Sequence, residues 1–376
     1  MKITRVIRKF VSSYYTKKSY LGIEKAYIDK AKKSNKNVLN HLGNGENQYV
    51  SKWKRISKYV SPIDYRLFSQ FIGENPNIVP EYVLHYIIEP VFLPKAYQQF
   101  YNDKNMYDKL LPKKFLAESL FRCIDGICCD GNYQVLNNCD DKSMVELCSK
   151  YDRIIIKPTR DTGNGSRILL YQKQCAEYLP VEHEQKFSIR DLATYYEGNF
   201  VIQECLKQSS FTAQFNPTSV NTFRVFTYKS VKTNEVHVLG IVFRMGRTNA
   251  FVDNNHAGGK YIGVLHDGRF ANPCVFDQYG NTYDTFNDID FQKTKFKVPN
   301  FEVVVNFSKV VAEHIFHNRT LDLDVMIDSA GKPKLVEYNV DMCSPWLYQF
   351  TTGPVYGDFT DEIIEYIEKI NNHAIS

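Results

Sequence analysis

Residues 321–340 read LDLDVMIDSAGKPKLVEYNV and predict a β-hairpin. Two short apolar runs, 325–327 and 335–336, are typical of strands, and the glycine and proline within 329–333 are typical of the turn between them. The hairpin is therefore the first structural unit that the sequence predicts.

This hairpin carries polar side chains that neither strand needs. Side chains alternate across a strand, so Glu337 and Asn339 share one face, and a turn near Gly331 brings Asp324 opposite Glu337. Two carboxylates and an amide oxygen suit a hard divalent cation such as Mg²⁺. Asp322 competes with Asp324 for the first metal position, and the hairpin register favours Asp324. Taken alone, the same hairpin also fits a solvent-exposed sheet edge.

Length and composition indicate two or three lobes. The chain has 376 residues, and a hydrophobic fraction of 43% is ample for buried cores. No run of about 18 or more apolar residues occurs, so no membrane-spanning helix is predicted, and the amino terminus lacks the apolar core of a signal peptide. Nine cysteines without a repeated spacing favour reduced thiols in a cytosolic protein over a disulfide framework or a zinc site.

Positive charge is concentrated at the amino terminus. Residues 1–60 contain 15 Lys and Arg against 3 Asp and Glu, a net charge of +12 within a chain total of +5. Residues 3–14 place apolar side chains at helical spacing between basic ones, which fits a helix lying on an anionic membrane surface or one packed on the body with a solvated basic face. No nucleic-acid-binding motif accompanies the charge, so no nucleic acid is expected as a partner.

Helices are predicted to dominate the first part of the chain. Residues 22–42 predict a Lys-rich surface helix, and residues 51–94 predict a helical packing layer rich in aromatic side chains. Residues 101–120 open with loop residues and then predict a helix.

A small α+β lobe is predicted over residues 151–206. A β-branched strand, 152–158, leads through a loop with Gly163, Gly165 and Ser166 into a second strand, 167–171. No helix follows directly, which excludes a Walker loop and a Rossmann turn. The glycines let backbone N–H groups approach phosphate oxygens, and Lys157 adds a positive charge; a purely structural hairpin tip is the alternative. Helix 188–196 and strand 199–204 complete the lobe.

Residues 201–206 form a predicted strand that leaves this lobe, and we expect a hinge there. Its Gln203 or Glu204 side chain would contact the exocyclic amine of an adenine. Strands 221–228 and 235–245 follow and carry Arg224 and Arg244, whose guanidinium groups suit carboxylate or phosphoryl oxygens. Either arginine also fits an ordinary surface ion pair. Helices 303–317 and 358–371 flank the hairpin.

In this order the pieces resemble the ATP-grasp superfamily of carboxylate–amine ligases, and most closely the sugar-transfer-associated, or teichuronopeptide-type, branch. The resemblance covers about residues 100–365. The residues that carry it are Ile156-Lys157-Pro158, SVNTFR at 219–224, VDN at 252–254 with Gly258 and Gly259, LVEYN at 335–339, and Gly353-Pro354.

The resemblance implies an α+β, ATP-grasp fold in which two lobes clasp ATP, preceded by a helical amino-terminal region. The implied domains are 1–95, 96–150, 151–206 and 207–376. The implied site residues are Lys157, Arg224 and Arg244 for catalysis; Lys109, Lys157, Gly163, Gly165, Ser166, Gln203, Glu204, Cys205 and Leu206 for ATP; Asp324, Glu337 and Asn339 for two Mg²⁺ ions; and Asn254, His256, Gly258 and Gly259 for the acceptor. Gln203 departs from the more common glutamate at the start of the family's hinge.

The implied activity is an ADP-forming ligase that joins an amine or amino acid to a carboxylate through an acyl phosphate. The resemblance points to a uronic acid in capsule or O-antigen assembly. The alternatives are a kinase on the same scaffold and a non-catalytic membrane-recruited module. The implied location is cytoplasmic, or peripheral on the inner face of the membrane.

Overall fold

The computed structural model describes residues 2–160, 167–248 and 258–373, with side chains from Thr16 onward. It comprises an amino-terminal helical layer and two largely antiparallel sheets of six and seven strands. The predicted α+β class with a helical amino-terminal region is confirmed. Within the described residues, no helix is long and apolar enough to cross a membrane.

The helical layer begins with one long helix. Its elements are α1 (Lys2–Lys33), α2 (Asn44–Lys54), α3 (Pro62–Ile72), α4 (Glu81–Val83), a π-helical turn (Leu84–Ile88) and α5 (Glu89–Phe92). The predicted helical layer over 51–94 is confirmed, but the helix predicted over 22–42 was wrong in its limits. Helix α1 ends at Lys33 because Asn35 adopts a left-handed conformation (φ 52°), and the N–H of Lys36 donates to the carbonyl of Ala31.

Short turns replace the helix predicted within 101–120. The elements are α6 (Lys95–Asn102), a 3-10 turn (Lys104–Met106), α7 (Tyr107–Leu110) and a second 3-10 turn (Lys113–Phe115). Pro112 forces the preceding Leu111 into an extended conformation (φ −115°, ψ 147°), which ends the helix.

The six-stranded sheet forms the small lobe. Its elements are β1 (Ser119–Ile124), β2 (Ile127–Asp130), α8 (Asp141–Cys148), β3 (Arg153–Pro158), β4 (Leu169–Gln174), β5 (Glu177–Val181), α9 (Ile189–Tyr195) and β6 (Phe200–Glu204). The strand order is β2-β1-β6-β3-β4-β5. The predicted β3–β4 hairpin is confirmed, although its tip, 161–166, lies outside the described residues. The predicted domain division stays a prediction; this sheet takes strands from both sides of residue 150.

The small lobe also contains a disulfide, between Cys128 and Cys139. The prediction that all nine cysteines are reduced was therefore wrong for this pair, and the other seven are free thiols. Spacing alone did not predict the pair because folding brings β2 alongside the loop that precedes α8.

The seven-stranded sheet forms the large lobe, with strand order β11-β10-β9-β8-β7-β14-β15. The elements, including a small β12–β13 hairpin, are α10 (Ser210–Ala213), β7 (Thr222–Lys229), β8 (Val236–Met245), β9 (Lys260–Gly263), β10 (Val275–Phe276), β11 (Thr282–Tyr283), β12 (Thr285–Phe286), β13 (Ile289–Asp290), α11 (Glu302–His314), β14 (Thr320–Ile327), β15 (Pro333–Asn339), α12 (Pro345–Gln349) and α13 (Thr360–His373).

Both faces of this sheet are covered. Helix α11 packs on one face, and the amino-terminal helical layer shares a continuous core with the other, where Phe68 contacts Phe350 and Phe92 stacks on Tyr228. All eight residues of β14 are buried. The hairpin is thus not a solvent-exposed pair of strands: β14 lies inside the sheet, and of the two hairpin strands only β15 lies at an edge.

Candidate active site between the two sheets

The β14–β15 hairpin has the register that the sequence predicts. Asp324 lies opposite Glu337, and Asp322 lies opposite Asn339. The side-chain amide of Asn339 donates to the backbone carbonyl of Asp322 (3.3 Å), so its oxygen points the other way. Three carboxylates and one amide therefore stand at neighbouring positions of two paired strands.

Asp324 is held by both predicted arginines. Arg224, on the adjacent β7, donates Nε and Nη2 to the two carboxylate oxygens (2.8 and 2.7 Å), and Arg244 of β8 donates Nη1 to both (3.0 and 3.1 Å). Burial alone would raise the pKa of Asp324, but the two guanidinium groups outweigh it and lower that pKa to about 2. The arginines are partners of a buried carboxylate, and neither forms a surface ion pair with it.

Asp322 has a different environment. Its carboxylate is fully buried and accepts hydrogen bonds from the Tyr348 hydroxyl (2.6 Å) and the Ser344 backbone N–H (2.8 Å). Burial raises its pKa, although Arg224 and these hydrogen bonds oppose the rise. Asp322 therefore ties the hairpin to the chain that follows it.

Two lysines approach Glu337. Lys104, in the 3-10 turn after α6, lies 2.8 Å from a Glu337 oxygen. Lys157, at the end of β3, is close enough to interact electrostatically with Glu337 and Lys104. Burial lowers the pKa of Lys157 to about 8; Glu337 opposes this change and Lys104 reinforces it. Cations from the small lobe and the connecting segment thus face a carboxylate of the large lobe.

Lys104 was missed by sequence reasoning, which singled out Lys109. The Lys109 ammonium lies 3.9 Å from the centre of the Tyr133 ring and its side chain is exposed. The sequence holds one local indication of the turn that carries Lys104: Asp103 is a capping residue, and it accepts the N–H of Asn105. A contact distant in sequence then places the turn, because the Lys104 N–H donates to the carbonyl of Thr159 (3.0 Å). A capped turn docked on the end of β3 carries Lys104 to the site.

The predicted hinge residues lie at the end of β6. The Gln203 amide donates to the Ser119 hydroxyl (3.3 Å), and the Glu204 carboxylate accepts the N–H of Glu118 (2.8 Å). The Cys205 N–H donates to the carbonyl of Arg153, and Leu206 is half-buried. A cavity of about 310 Å³ lies in the same lobe, and its lining includes Arg153, Leu170, Val181, His183 and Thr218.

Five of the predicted site residues fall in two segments that the structure does not describe. Gly163, Gly165, Ser166, Asn254 and His256 lie outside the described residues. Of the predicted acceptor residues that remain, Gly258 is exposed with φ 92°, and Gly259 is buried just before β9.

The donor set fits a hard cation. Within the described residues no group of three or more His, Cys, Asp or Glu side chains could hold a metal ion. A cation at this hairpin would thus combine Asp324 and Glu337 with the Asn339 amide, an all-oxygen set that suits Mg²⁺ better than Zn²⁺.

A comparison with family models identifies the family of this chain. The model of the sugar-transfer associated ATP-grasp family matches residues 93–358. The chain belongs to this family. None of the curated proteins compared with the sequence matches it. The ATP-grasp fold predicted from the sequence is confirmed by the match.

Solved ATP-grasp structures are similar at low identity. An L-amino acid ligase from Bacillus licheniformis has 12% identity and a TM-score of 0.37, with 70% of this chain and 47% of that chain covered. The ATP-grasp ligase PsnB, solved with Mg and ADP, has 10% identity and a TM-score of 0.36, with 75% of this chain and 61% of that chain covered. The D-alanine–D-alanine ligase from Bacillus anthracis has 16% identity and a TM-score of 0.38, with 73% of this chain and 69% of that chain covered. The chain spans less than two thirds of the first two proteins.

Proposed function

We propose that this protein is an ATP-dependent carboxylate–amine ligase that forms an amide through an acyl phosphate and releases ADP. The observation that carries the proposal is the placement of Asp324 opposite Glu337, with Arg224 and Arg244 on the first carboxylate and Lys104 beside the second. Such an alternation of cations and carboxylates suits a polyphosphate and a divalent ion better than a neutral ligand.

The nucleotide would lie between the two sheets. Lys157 and Lys104 would contact its phosphates, because their ammonium groups already face the same carboxylate. The hairpin tip with Gly163, Gly165 and Ser166 would cover the phosphates, and the hinge at 203–206 would contact the adenine beside apolar Leu170 and Val181. Lys109 is the alternative phosphate lysine.

Asp324, Glu337 and Asn339 would hold Mg²⁺ through their side-chain oxygens. The ion, when bound, withdraws negative charge from the phosphates. The residues of the chain supply the rest. Arg224 and Arg244 would orient the attacking carboxylate or the transferred phosphoryl group, and the lysines would stabilise the ADP leaving group. An amine then attacks the acyl phosphate carbon, expels phosphate and loses a proton.

For the substrates we propose a uronic acid, in capsule or O-antigen assembly, and an amino acid or other amine. This rests on the membership in a sugar-transfer associated family. Asn254, His256, Gly258 and Gly259 would contact the acceptor. The basic amino terminus would bring the protein to an anionic membrane surface on the cytoplasmic side.

The test is an ADP-release screen of uronic acids against amino acids, with the variant Glu337→Ala. Loss of one metal-binding carboxylate should remove several kcal/mol of transition-state stabilisation, about a thousandfold or more in turnover, with the fold retained. Glu313→Ala, at an exposed site on α11, is the matched control and should keep full activity.

Parental ADP release by Glu337→Ala would refute the site. Omission of the amine separates the reaction classes: a ligase then forms no amide, whereas a kinase still accumulates a stable phosphorylated product.

A further inference from the structure

The loop 341–344, directly after the metal-binding strand β15, is held in an uncommon conformation. Met342 has φ 51°, a left-handed conformation that costs a residue with a side chain on the order of 1 kcal/mol. Its side chain is 63% exposed, so packing of that side chain does not explain the conformation. Other contacts must hold the loop.

The helical layer supplies those contacts through Glu89. One carboxylate oxygen accepts the N–H of Met342 (3.0 Å) and the other accepts the N–H of Cys343 (3.0 Å). Glu89 is 5% exposed and also accepts from Nδ1 of His85 (3.0 Å). A buried carboxylate from the amino-terminal region thus binds two consecutive backbone N–H groups beside the candidate active site.

His85 is a buried partner of this carboxylate. It lies in the π-helical turn between Glu89 and Glu81, whose oxygen is 3.6 Å from Nε2. Burial opposes protonation, but the two carboxylates raise the pKa of His85 to about 10. At neutral pH His85 is therefore an imidazolium, and hydrogen bonds in which one partner is charged are the stronger kind.

The other end of the loop is tied to the metal hairpin. The Ser344 N–H and the Tyr348 hydroxyl donate to the Asp322 carboxylate, and Asn339 donates to the Asp322 carbonyl. The loop is therefore hydrogen-bonded to Glu89 at Met342 and Cys343 and, one residue later, to the Asp322 carboxylate of the strand that carries Asp324; the backbone of the loop joins the two sets of contacts.

We propose that Glu89 is a positioning residue for the metal site: by fixing loop 341–344 it sets the spacing of Asp324, Glu337 and Asn339. This inference rests on the proposed function. It gives the helical layer, which lies largely outside the matched family region, a direct part in nucleotide–metal binding.

The experiment measures ADP binding to the full chain by calorimetry, with Mg²⁺ and with EDTA. Glu89→Gln keeps the side-chain volume but turns an N–H₂ group towards backbone donors. It should weaken the Mg²⁺-dependent part of ADP affinity about tenfold to a hundredfold, the usual effect of losing a group that orients metal ligands, and leave ADP affinity in EDTA unchanged.

Glu81→Gln is the matched control. Glu81 also contacts His85 and accepts a hydrogen bond from Tyr27, but within the described part of the chain its side chain makes no hydrogen bond or ion pair with loop 341–344. It should perturb the helical layer without changing the Mg²⁺-dependent affinity. Equal shifts in the two variants, or no shift in Glu89→Gln, would overturn the inference while the ATP site stands. If the parental protein binds ADP equally well with Mg²⁺ and with EDTA, the proposed Mg²⁺–ATP site is refuted, and this inference is refuted with it.

Hydrogen exchange tests the same contact if Glu89→Gln does not fold. In the parental chain the amides of Met342 and Cys343 should exchange slowly, and Glu89→Asp, which keeps the charge but shortens the side chain, should accelerate them. Rapid exchange of both amides in the parental protein would show that Glu89 does not hold the loop.

Discussion

Replacement of Asp324 by asparagine should destabilise the protein in a pH-dependent way. The carboxylate is 5% exposed and lies between two guanidinium groups. Its pKa falls from an ordinary 3.8 to about 2, and each tenfold change in an ionisation constant corresponds to about 1.4 kcal/mol, so ionisation contributes about 2 kcal/mol to folding. Because the folded-state pKa is lowered, this stability is present above about pH 4 and is lost as the pH falls towards 2.

At neutral pH, Asp324→Asn should lower the free energy of unfolding by more than this ionisation contribution alone. Removal of one partner from a buried ion pair leaves charge without compensation, and typical losses are about 3–5 kcal/mol. Here Arg224 and Arg244 both lose the carboxylate, and the asparagine oxygen accepts from only part of the three donor groups. We therefore expect Asp324→Asn to lower the free energy of unfolding by about 3–5 kcal/mol at pH 7. In acid the difference between variant and parent should shrink by about 2 kcal/mol.

Urea unfolding followed by tryptophan fluorescence, at several pH values between 2 and 7, measures this difference. Asp361→Asn is the control: Asp361 is exposed and pairs with Lys52 at 2.8 Å, and loss of such a surface pair costs at most about 1 kcal/mol. An Asp324→Asn protein as stable as its parent at pH 7, or a stability gap that does not change in acid, would refute the buried ion-pair reasoning.

Two further predictions concern charge. Lys104→Met should weaken ADP binding about tenfold or more, the loss expected for one hydrogen bond between charged groups, whereas Lys109→Met should change it less than about twofold because Lys109 lies over Tyr133; the reverse order in calorimetry would restore Lys109 as the phosphate lysine. A chain without residues 1–20 should lose binding to anionic liposomes in sedimentation assays, and the binding of the full chain should fade with added salt; equal binding of both chains would exclude the amino terminus as the membrane contact.

Local patterns explain the parts of the site that could be predicted. The turn at Gly331 and the alternation of side chains set the Asp324–Glu337 register within one short hairpin, and the structure has that register. The β3 strand, with Lys157 as its penultimate residue, and the β6 strand before the hinge were predicted on the same basis. In each case the deciding interactions lie between residues close in sequence.

Tertiary contacts decided the rest. The Asp103 cap beside Lys104 is a local feature, but only the docking of the capped turn on the end of β3 brings Lys104, and not Lys109, to Glu337. The pairing of Arg224 and Arg244 with one carboxylate requires the strand order β8-β7-β14, which no periodicity in the sequence specifies. The Cys128–Cys139 disulfide likewise depends on how the loop before α8 folds back on β2.

The sequence by itself thus determined the type of most elements, the hairpin register and the placement of carboxylate and amide side chains along that hairpin. Only the tertiary structure decided which cations meet those ligands, and that Glu89 binds the loop after Asn339 across 253 residues of chain. The physical reason is that strand alternation and turn chemistry act over a few residues, whereas charges pair wherever packing brings them together and excludes water.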